Sequence, residues 1–375
     1  MAKVAAVKVD SFDYNYADVE KGVNEALELL GGMEKYISPG DRVLVKPNML
    51  EAVKKELSVT THPEVVRAVI RAVKKAGGIP VVGDSPGPTS TRKVAEKCGI
   101  MAVCLEENVK LVSFDEAVEM HYPEGRVIKK FMLARPLKEV DKVISLAKMK
   151  THTFMGVTGA VKNLFGCVVG MDKAQFHLRM QKRQEFSGMI LDLANLVKPS
   201  LFLIDGVMGM EGNGPRNGHP LFAGVLLAGV NGFAVDVVMT EMMGFKPQHI
   251  PMVAMALEQG LTPPFTEIEV VGSAKGVRCS FVPPRTLLSL EDRVPKWLAE
   301  FGRNHLTARP WISDACIGCG RCAAHCPPKA MKIQQGKVEI AYEQCIRCYC
   351  CQELCPYNAV SIKEGCLLKV VKRLL

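Results

Sequence analysis

Nine of the fourteen cysteines in this 375-residue chain fall between positions 316 and 355, and eight of them repeat one spacing twice. The first run is Cys316-x2-Cys319-x2-Cys322-x3-Cys326-Pro327, and the second is Cys345-x2-Cys348-x2-Cys351-x3-Cys355-Pro356. Thiolates spaced this way ligate iron–sulfur cubes, three from one run and the fourth crossing from the other. The proline after each fourth cysteine stops the local helix and turns that side chain away from its own run. The spacing therefore predicts two [4Fe-4S] clusters. Cys316, Cys319, Cys322 and Cys355 would hold one, and Cys345, Cys348, Cys351 and Cys326 the other. A zinc pair needs four ligands per ion but has no use for the repeated spacing and its prolines. Cys350 is out of register and reads as a spare thiol. Cys98, Cys104, Cys167, Cys279 and Cys366 are scattered without a disulfide-like framework, a pattern expected of a reducing cytoplasm.

A second set of residues could do chemistry on a ligand. Lys148-Met149-Lys150-Thr151-His152 is followed by a glycine-rich run from Gly156 through Gly159, Lys162 and Asn163 to Gly166. Glycines let backbone N–H groups approach a ligand, and such nests favour anions. Lys148, Lys150 and Lys162 would supply charge, and His152 would move a proton near neutral pH. Lys46 and Asn48, Asp84 and Ser85, and Asp205 stand in three further polar or glycine-rich segments. Asp205 and Glu211 flank one of them, where they could bind a divalent metal or act as base, although carboxylates at loop starts are more often caps. Asp236 reads as a buried helix cap. Asp84-Ser85-Pro86-Gly87 also fits a plain turn.

These residues need elements to hold them. Strand patterns occupy residues 4–9, 42–45, 79–82, 140–146, 201–204 and 225–227. Helical patterns occupy residues 19–30, ending at Gly31-Gly32, and 63–73, with Pro63 in the first turn. A long helical region covers residues 173–197. This alternation predicts an α/β domain with a mainly parallel sheet and helices on its faces. Four strands run into the polar segments above, and ligands of open α/β sheets bind outside the carboxyl ends of strands. Neither G-x-G-x-x-G after the first strand nor G-x-x-x-x-G-K-[ST] is present, so a standard dinucleotide or P-loop site is not supported. The expected organisation is an α/β domain over residues 1–300 and a small ferredoxin-like α+β two-cluster domain over 305–375. Residues 303–310 would connect them.

Apolar residues make up 48% and charged residues 23%, a globular composition. The formal charge of +9 falls to roughly +5 once each cube and its four thiolates contribute about −2. That modest excess suits a small anionic substrate or cofactor and does not argue for nucleic acid. The opening residues read as a strand, without an apolar targeting core. The longest uncharged stretch, residues 217–235, contains Pro220, Asn231 and four glycines and reads as a strand plus a helix start, so no membrane span is expected. The apolar, basic tail over residues 367–375 is expected to pack against the ferredoxin unit.

Lys46-Pro47-Asn48, Asp84-Ser85-Pro86-Gly87, Lys148-x-Lys150-x-His152, Thr158-Gly159-Ala160-x-Lys162-Asn163-Leu164-x-Gly166 and Asp205-Gly206 together resemble the domain-of-unknown-function family 362, over about residues 1–290. The resemblance implies the α/β-plus-ferredoxin architecture and the choice of loops, and it brings no reaction. The leading expectation is an iron–sulfur redox protein that acts as an oxidoreductase. Its ferredoxin part would relay electrons to an anionic ligand held by Lys46, Asn48, Asp84, Ser85, Lys148, Lys162 and Asn163, with His152, Lys150 and Asp205 as catalytic groups. The alternatives are an electron carrier that docks a partner enzyme and an iron–sulfur or metal-centre assembly factor with Cys167 or Cys279 as acceptor thiols. A redox partner protein is implied in each case.

Overall fold

The computed structural model describes residues 2–87, 89–170, 172–287 and 307–365. The expected domain boundary near residue 303, Cys366 and the tail over 367–375 lie outside the described residues.

The large domain is a nine-stranded sheet. Its strands are β1 (Lys3–Lys8), β2 (Arg42–Pro47), β3 (Ile79–Val82), β4 (Lys110–Leu111), β7 (Lys142–His152), β8 (Gly156–Thr158), β9 (Leu201–Glu211), β10 (His219–Gly229) and β11 (Glu269–Val271). The order is β11-β1-β10-β9-β7-β2-β3-β4, with β8 paired to β7. Only β10 and the short β8 run antiparallel to their neighbours. The hairpin β5 (Ala117–His121) and β6 (Lys130–Ala134) forms a separate sheet. The sheet is thus mainly parallel, as the alternation predicts.

Both faces are covered, which a parallel sheet requires. Helices α1 (Tyr16–Leu29), α2 (Pro63–Lys75), α3 (Thr91–Cys98) and α4 (Ile100–Glu106) bury one face with side chains such as Val23, Val69 and Val94. On the other face, α6 (Arg183–Val197), α7 (Gly232–Met242) and α8 (Pro251–Glu258) bury Ile190, Val238 and Val253. The helical region expected over 173–197 is two helices, α5 (Asp172–Arg179) and α6, parted around residues 180–182.

Two strands are much longer than expected. β7 extends through Lys148, Lys150 and His152, and β9 through Asp205 to Glu211. The polar residues stay in the strands because the fold supplies partners there. Lys148 and Asp205 stand opposite each other in the parallel register of β7 and β9. They are therefore a cross-strand pair, not loop residues.

The C-terminal unit pairs β12 (Ala308–Ile312) with β15 (Val360–Glu364), and β13 (Met331–Gln334) with β14 (Lys337–Ile340). Two short helices, α9 (Arg321–Ala324) and α10 (Cys350–Leu354), carry cysteines from the two runs. This unit does not stand apart. Ala308, Tyr349 and Ile362 belong to the same buried cluster as the α6–α8 face. Arg285 donates to the Ile362 carbonyl at 2.9 Å, and Gln352 donates to the Asn213 carbonyl at 2.9 Å. Arg216 bridges Glu51 and Asn358.

Candidate active site

β2, β3 and β7 are parallel, so their carboxyl ends open on one side. A cavity of about 570 Å³ lies there, reached by Asn48 after β2, Asp84 and Ser85 after β3, and Lys150 and His152 at the end of β7. Lys162 and Asn163, from the turn over Lys162–Cys167, complete that side. The opposite wall belongs to the C-terminal unit: Cys350, Glu353 and Leu354 of α10, with Arg321 and His325 nearby.

Lys46 and Asp84 form the frame of this site. Their ammonium and carboxylate meet at 2.8 Å, both buried. Asp84 also accepts from the backbone N–H of Met49 at 2.7 Å, and Lys46 donates to Asn163 Oδ1 at 3.2 Å. Gly166 is required beside them, since a Cβ there would sit 2.0 Å from Asp84 Oδ1. Lys46 itself is enclosed in this network and holds the walls rather than lining the cavity.

Lys148 and Asp205 are a second enclosed network, and neither lines the cavity. Lys148 Nζ lies 2.8 Å from Asp205 Oδ2, and it donates to the Tyr14 hydroxyl at 2.7 Å. Tyr14 donates to Asp205 Oδ1 at 2.8 Å and stacks on His62 at 3.7 Å. The His62 backbone N–H also donates to Asp205. With all its acceptors engaged, Asp205 has no free oxygen for a ligand, so the catalytic role expected of it fails. Glu211 accepts from the Val282 backbone at 2.8 Å.

Lys150 differs. It donates to Asn48 Oδ1 and to the Val59 carbonyl, both at 2.7 Å, and makes no salt bridge among the described residues. Burial first, and then the nearby Lys162 and Lys148 cations, pull its ammonium down to about 7. Lys162 is half-buried, stands 5.9 Å over the Phe165 ring and makes no ion pair or hydrogen bond among the described residues. Burial lowers its pKa as well, against the pull of Glu353.

His152 does not have the titration expected of it. Burial and the Lys162 cation hold it well below the usual imidazole range, so it is neutral at pH 7. Its Nδ1 accepts from the backbone of Phe154 at 3.0 Å and of Met155 at 3.3 Å. The ring proton is therefore on Nε2, which faces Glu353 Oε1 at 3.6 Å. His152 is a fixed hydrogen-bond donor, and Lys150 is the group poised to move a proton near pH 7.

The sequence reading missed Lys173, His177 and Glu353. Lys173, on α5, donates to the carbonyls of Ser85 and Pro86, and burial draws it down to about 8. Lys173 and His177 are four residues apart on one helix and so share a face, a spacing visible in the sequence. Glu353 had no such signal, because it lies inside the second cysteine run. Its carboxyl is raised by burial, against Lys162 and Lys150.

Asp236 is a cap, though of a different element from its own helix. It sits inside α7 and accepts from the backbone of Ala160 at 2.6 Å and of Val161 at 3.1 Å, which aims the Lys162 turn. Burial raises it to about 7. Cys167 is fully buried and pushed up to about 12, which makes it a poor acceptor thiol.

The cysteine runs fit iron–sulfur ligation. Cys326, Cys345, Cys348 and Cys351, drawn from both runs, ring one enclosed space. Cys322 lies in electrostatic contact with Cys355 and Cys319. Each grouping mixes the two runs in the crossed pattern. Cys350 lines both the cysteine-ringed space and the ligand cavity, so it stands in the wall between them.

The profile of a domain of unknown function, DUF362, matches residues 43–241, which hold every lysine of the two networks and of the cavity. The chain belongs to the DUF362 family. The profile of a 4Fe-4S dicluster domain matches residues 311–356, so this DUF362 chain is an iron–sulfur protein. A thylakoid-associated protein, sll1697, of Synechocystis sp. is 37% identical over 259 residues, covering 69% of this chain and 80% of that protein. The lactate racemase apoprotein from Thermoanaerobacterium thermosaccharolyticum aligns with a TM-score of 0.40 and 12% identity, over 65% of this chain and 57% of that one. Among the described residues no helix is long and apolar enough to cross a membrane.

Proposed function

We propose that this DUF362 protein is a ferredoxin-fused reductase, in which the dicluster unit delivers electrons to an anionic ligand in the cavity. The observation that carries the reading is the shared wall. The helix α10 bears Cys351 of the second run, and the same helix presents Cys350 and Glu353 to the ligand cavity. Two clusters, on Cys316, Cys319, Cys322 and Cys355 and on Cys345, Cys348, Cys351 and Cys326, would supply single electrons, two in all. The chain's own groups do the rest. Lys162, which makes no ion pair among the described residues, binds the anion, and Lys150 supplies a proton from its ammonium. The Nε2–H of His152 orients the ligand, and the Lys46–Asp84 pair fixes the floor. A carrier that only docks a partner has no use for a deep cavity lined with buried cations, so the enzyme reading is preferred. On this reading the α/β unit reaches to about residue 300, and the dicluster unit from about 305 closes it. The singly buried thiols Cys98, Cys104 and Cys167 suit a reducing compartment such as the cytoplasm.

The test uses protein purified without oxygen. It should carry about eight irons and eight labile sulfides. Lys162→Met should leave the cluster spectra intact while the co-purified ligand, detected by native mass spectrometry, is lost. If the variant retains the same ligand, the site assignment is wrong. Cys355→Ser should damage the cluster begun by Cys316 and spare the one begun by Cys345. Stoichiometric zinc without sulfide would overturn the cluster assignment.

A further inference from the structure

The cavity asks for more than an anion. Its volume of about 570 Å³ is in the range that encloses drug-sized ligands, far above the needs of an inorganic oxyanion. Met49, Leu50, Pro86, Phe165, Ala174 and Leu354 give much of the wall an apolar character.

A second polar anchor faces this space. His177 is 9% exposed and lines the cavity. Its Nδ1 is closed off within the protein and has no hydrogen-bond partner among the described residues, which leaves Nε2 as the ring nitrogen open to a ligand. Three aromatic side chains hold the ring. It stacks on Phe186 at 4.6 Å and meets the edges of Phe154 at 5.6 Å and Phe165 at 6.0 Å. Nε2 of a neutral imidazole is a donor or an acceptor according to the tautomer, so a ligand hydroxyl can bond to it in either form.

Phe165 connects the two anchors. The Lys162 ammonium stands 5.9 Å from its ring centroid and the His177 ring 6.0 Å from it. Both anchors border Phe165, which lines the cavity, so a molecule that touches both can run along an aromatic surface. Aromatic pairs favour such offset or edge contacts.

We infer that the ligand is a hydroxylated aromatic carboxylate, with its carboxylate at Lys162 and Lys150, its ring along Phe165 and its hydroxyl on His177. This rests on the anion site proposed above and adds the body and the second anchor.

The experiment measures equilibrium binding to the anaerobic, cluster-loaded full chain by titration calorimetry. The probes are acetate, inorganic phosphate, 2-naphthoate and 6-hydroxy-2-naphthoate. Naphthoate should bind at least tenfold tighter than acetate or phosphate, and the hydroxyl should add a further several-fold. Lys162→Met should weaken both naphthoates at least tenfold. His177→Leu should remove the gain from the hydroxyl and leave plain naphthoate unchanged, with the cluster absorbance as the folding control. The comparison of the two naphthoates needs no variant, so it can refute the His177 anchor even if His177→Leu fails to fold, and His177→Gln then assigns any gain to that side chain. If acetate or phosphate equals naphthoate, the aromatic body is refuted and the anion site survives. If the hydroxyl adds nothing, the His177 anchor is refuted. If none of the four binds, the anion site falls as well.

Discussion

Lys148 and Lys150 are two residues apart on one strand, both are buried, and they have opposite circumstances. Lys148 meets Asp205 at 2.8 Å across the register of β7 and β9, with Tyr14 and His62 closing the group. Among the described residues Lys150 has only neutral acceptors, and its neighbours include another cation. A buried ammonium with its own carboxylate is a finished structural unit. A buried ammonium without one carries an electrostatic cost that an incoming anion can remove. The difference separates scaffold from site more sharply than residue type does.

The largest effect should fall on the scaffold. Asp205→Asn leaves Lys148 charged and unpaired in the interior, and should cost roughly 3–5 kcal/mol of stability. Lys150→Met removes hydrogen bonds to two neutral acceptors and should cost about 1 kcal/mol. Denaturant titration of the two anaerobic variants checks the contrast. Equal losses would mean that the Lys150 surroundings are structural too.

Next in size is the pH response. The Lys150 ammonium, ordinarily at 10.5, is held at about 7. Between those values the unfolded chain binds a proton that the folded chain does not. This group's contribution to stability therefore rises with pH from about 7 to about 10.5. Anion binding has the opposite sign, because it needs the ammonium and weakens as pH passes upward through 7. Affinity for 2-naphthoate should fall at least tenfold between pH 6 and pH 9, and Lys150→Met should remove the part of that slope centred near 7. A wild-type affinity that does not change over this range would show that Lys150 does not face the ligand.

The smallest effect should come from Cys350. Cys350→Ser should leave the iron content within about a tenth of wild type, whereas Cys351→Ser should lose iron from the second cluster. Iron analysis distinguishes them, and equal loss would make Cys350 a ligand.

How far the sequence could be read follows from the same contrast. The spacing of the cysteines, the strand Ile79–Val82 and the helix from Pro63 are local patterns, and the structure reproduces those elements. The sequence patterns end the strands that become β7 and β9 at Leu146 and Ile204, because a charged residue such as Lys148 or Asp205 reads as a loop unless its partner is known. That partner lies 57 residues away. The convergence of Asn48, Asp84, Lys150 and Lys162 followed from strands ending on one side of a parallel sheet. Which lysine keeps its own counterion did not, since it depends on register. Nor did the wall formed by Glu353, because nothing in a cysteine run tells which non-ligand residue faces outward.

The helix α10 places a cysteine of the second run and the cavity residues Cys350 and Glu353 within two turns of one another. Fusion of the two units is therefore more than a tether. A soluble ferredoxin supplied in trans could donate electrons to many acceptors, but here it would leave the binding site without one of its sides. Any swap of the C-terminal unit must keep the outward face of that helix, so the two units are constrained to diverge together.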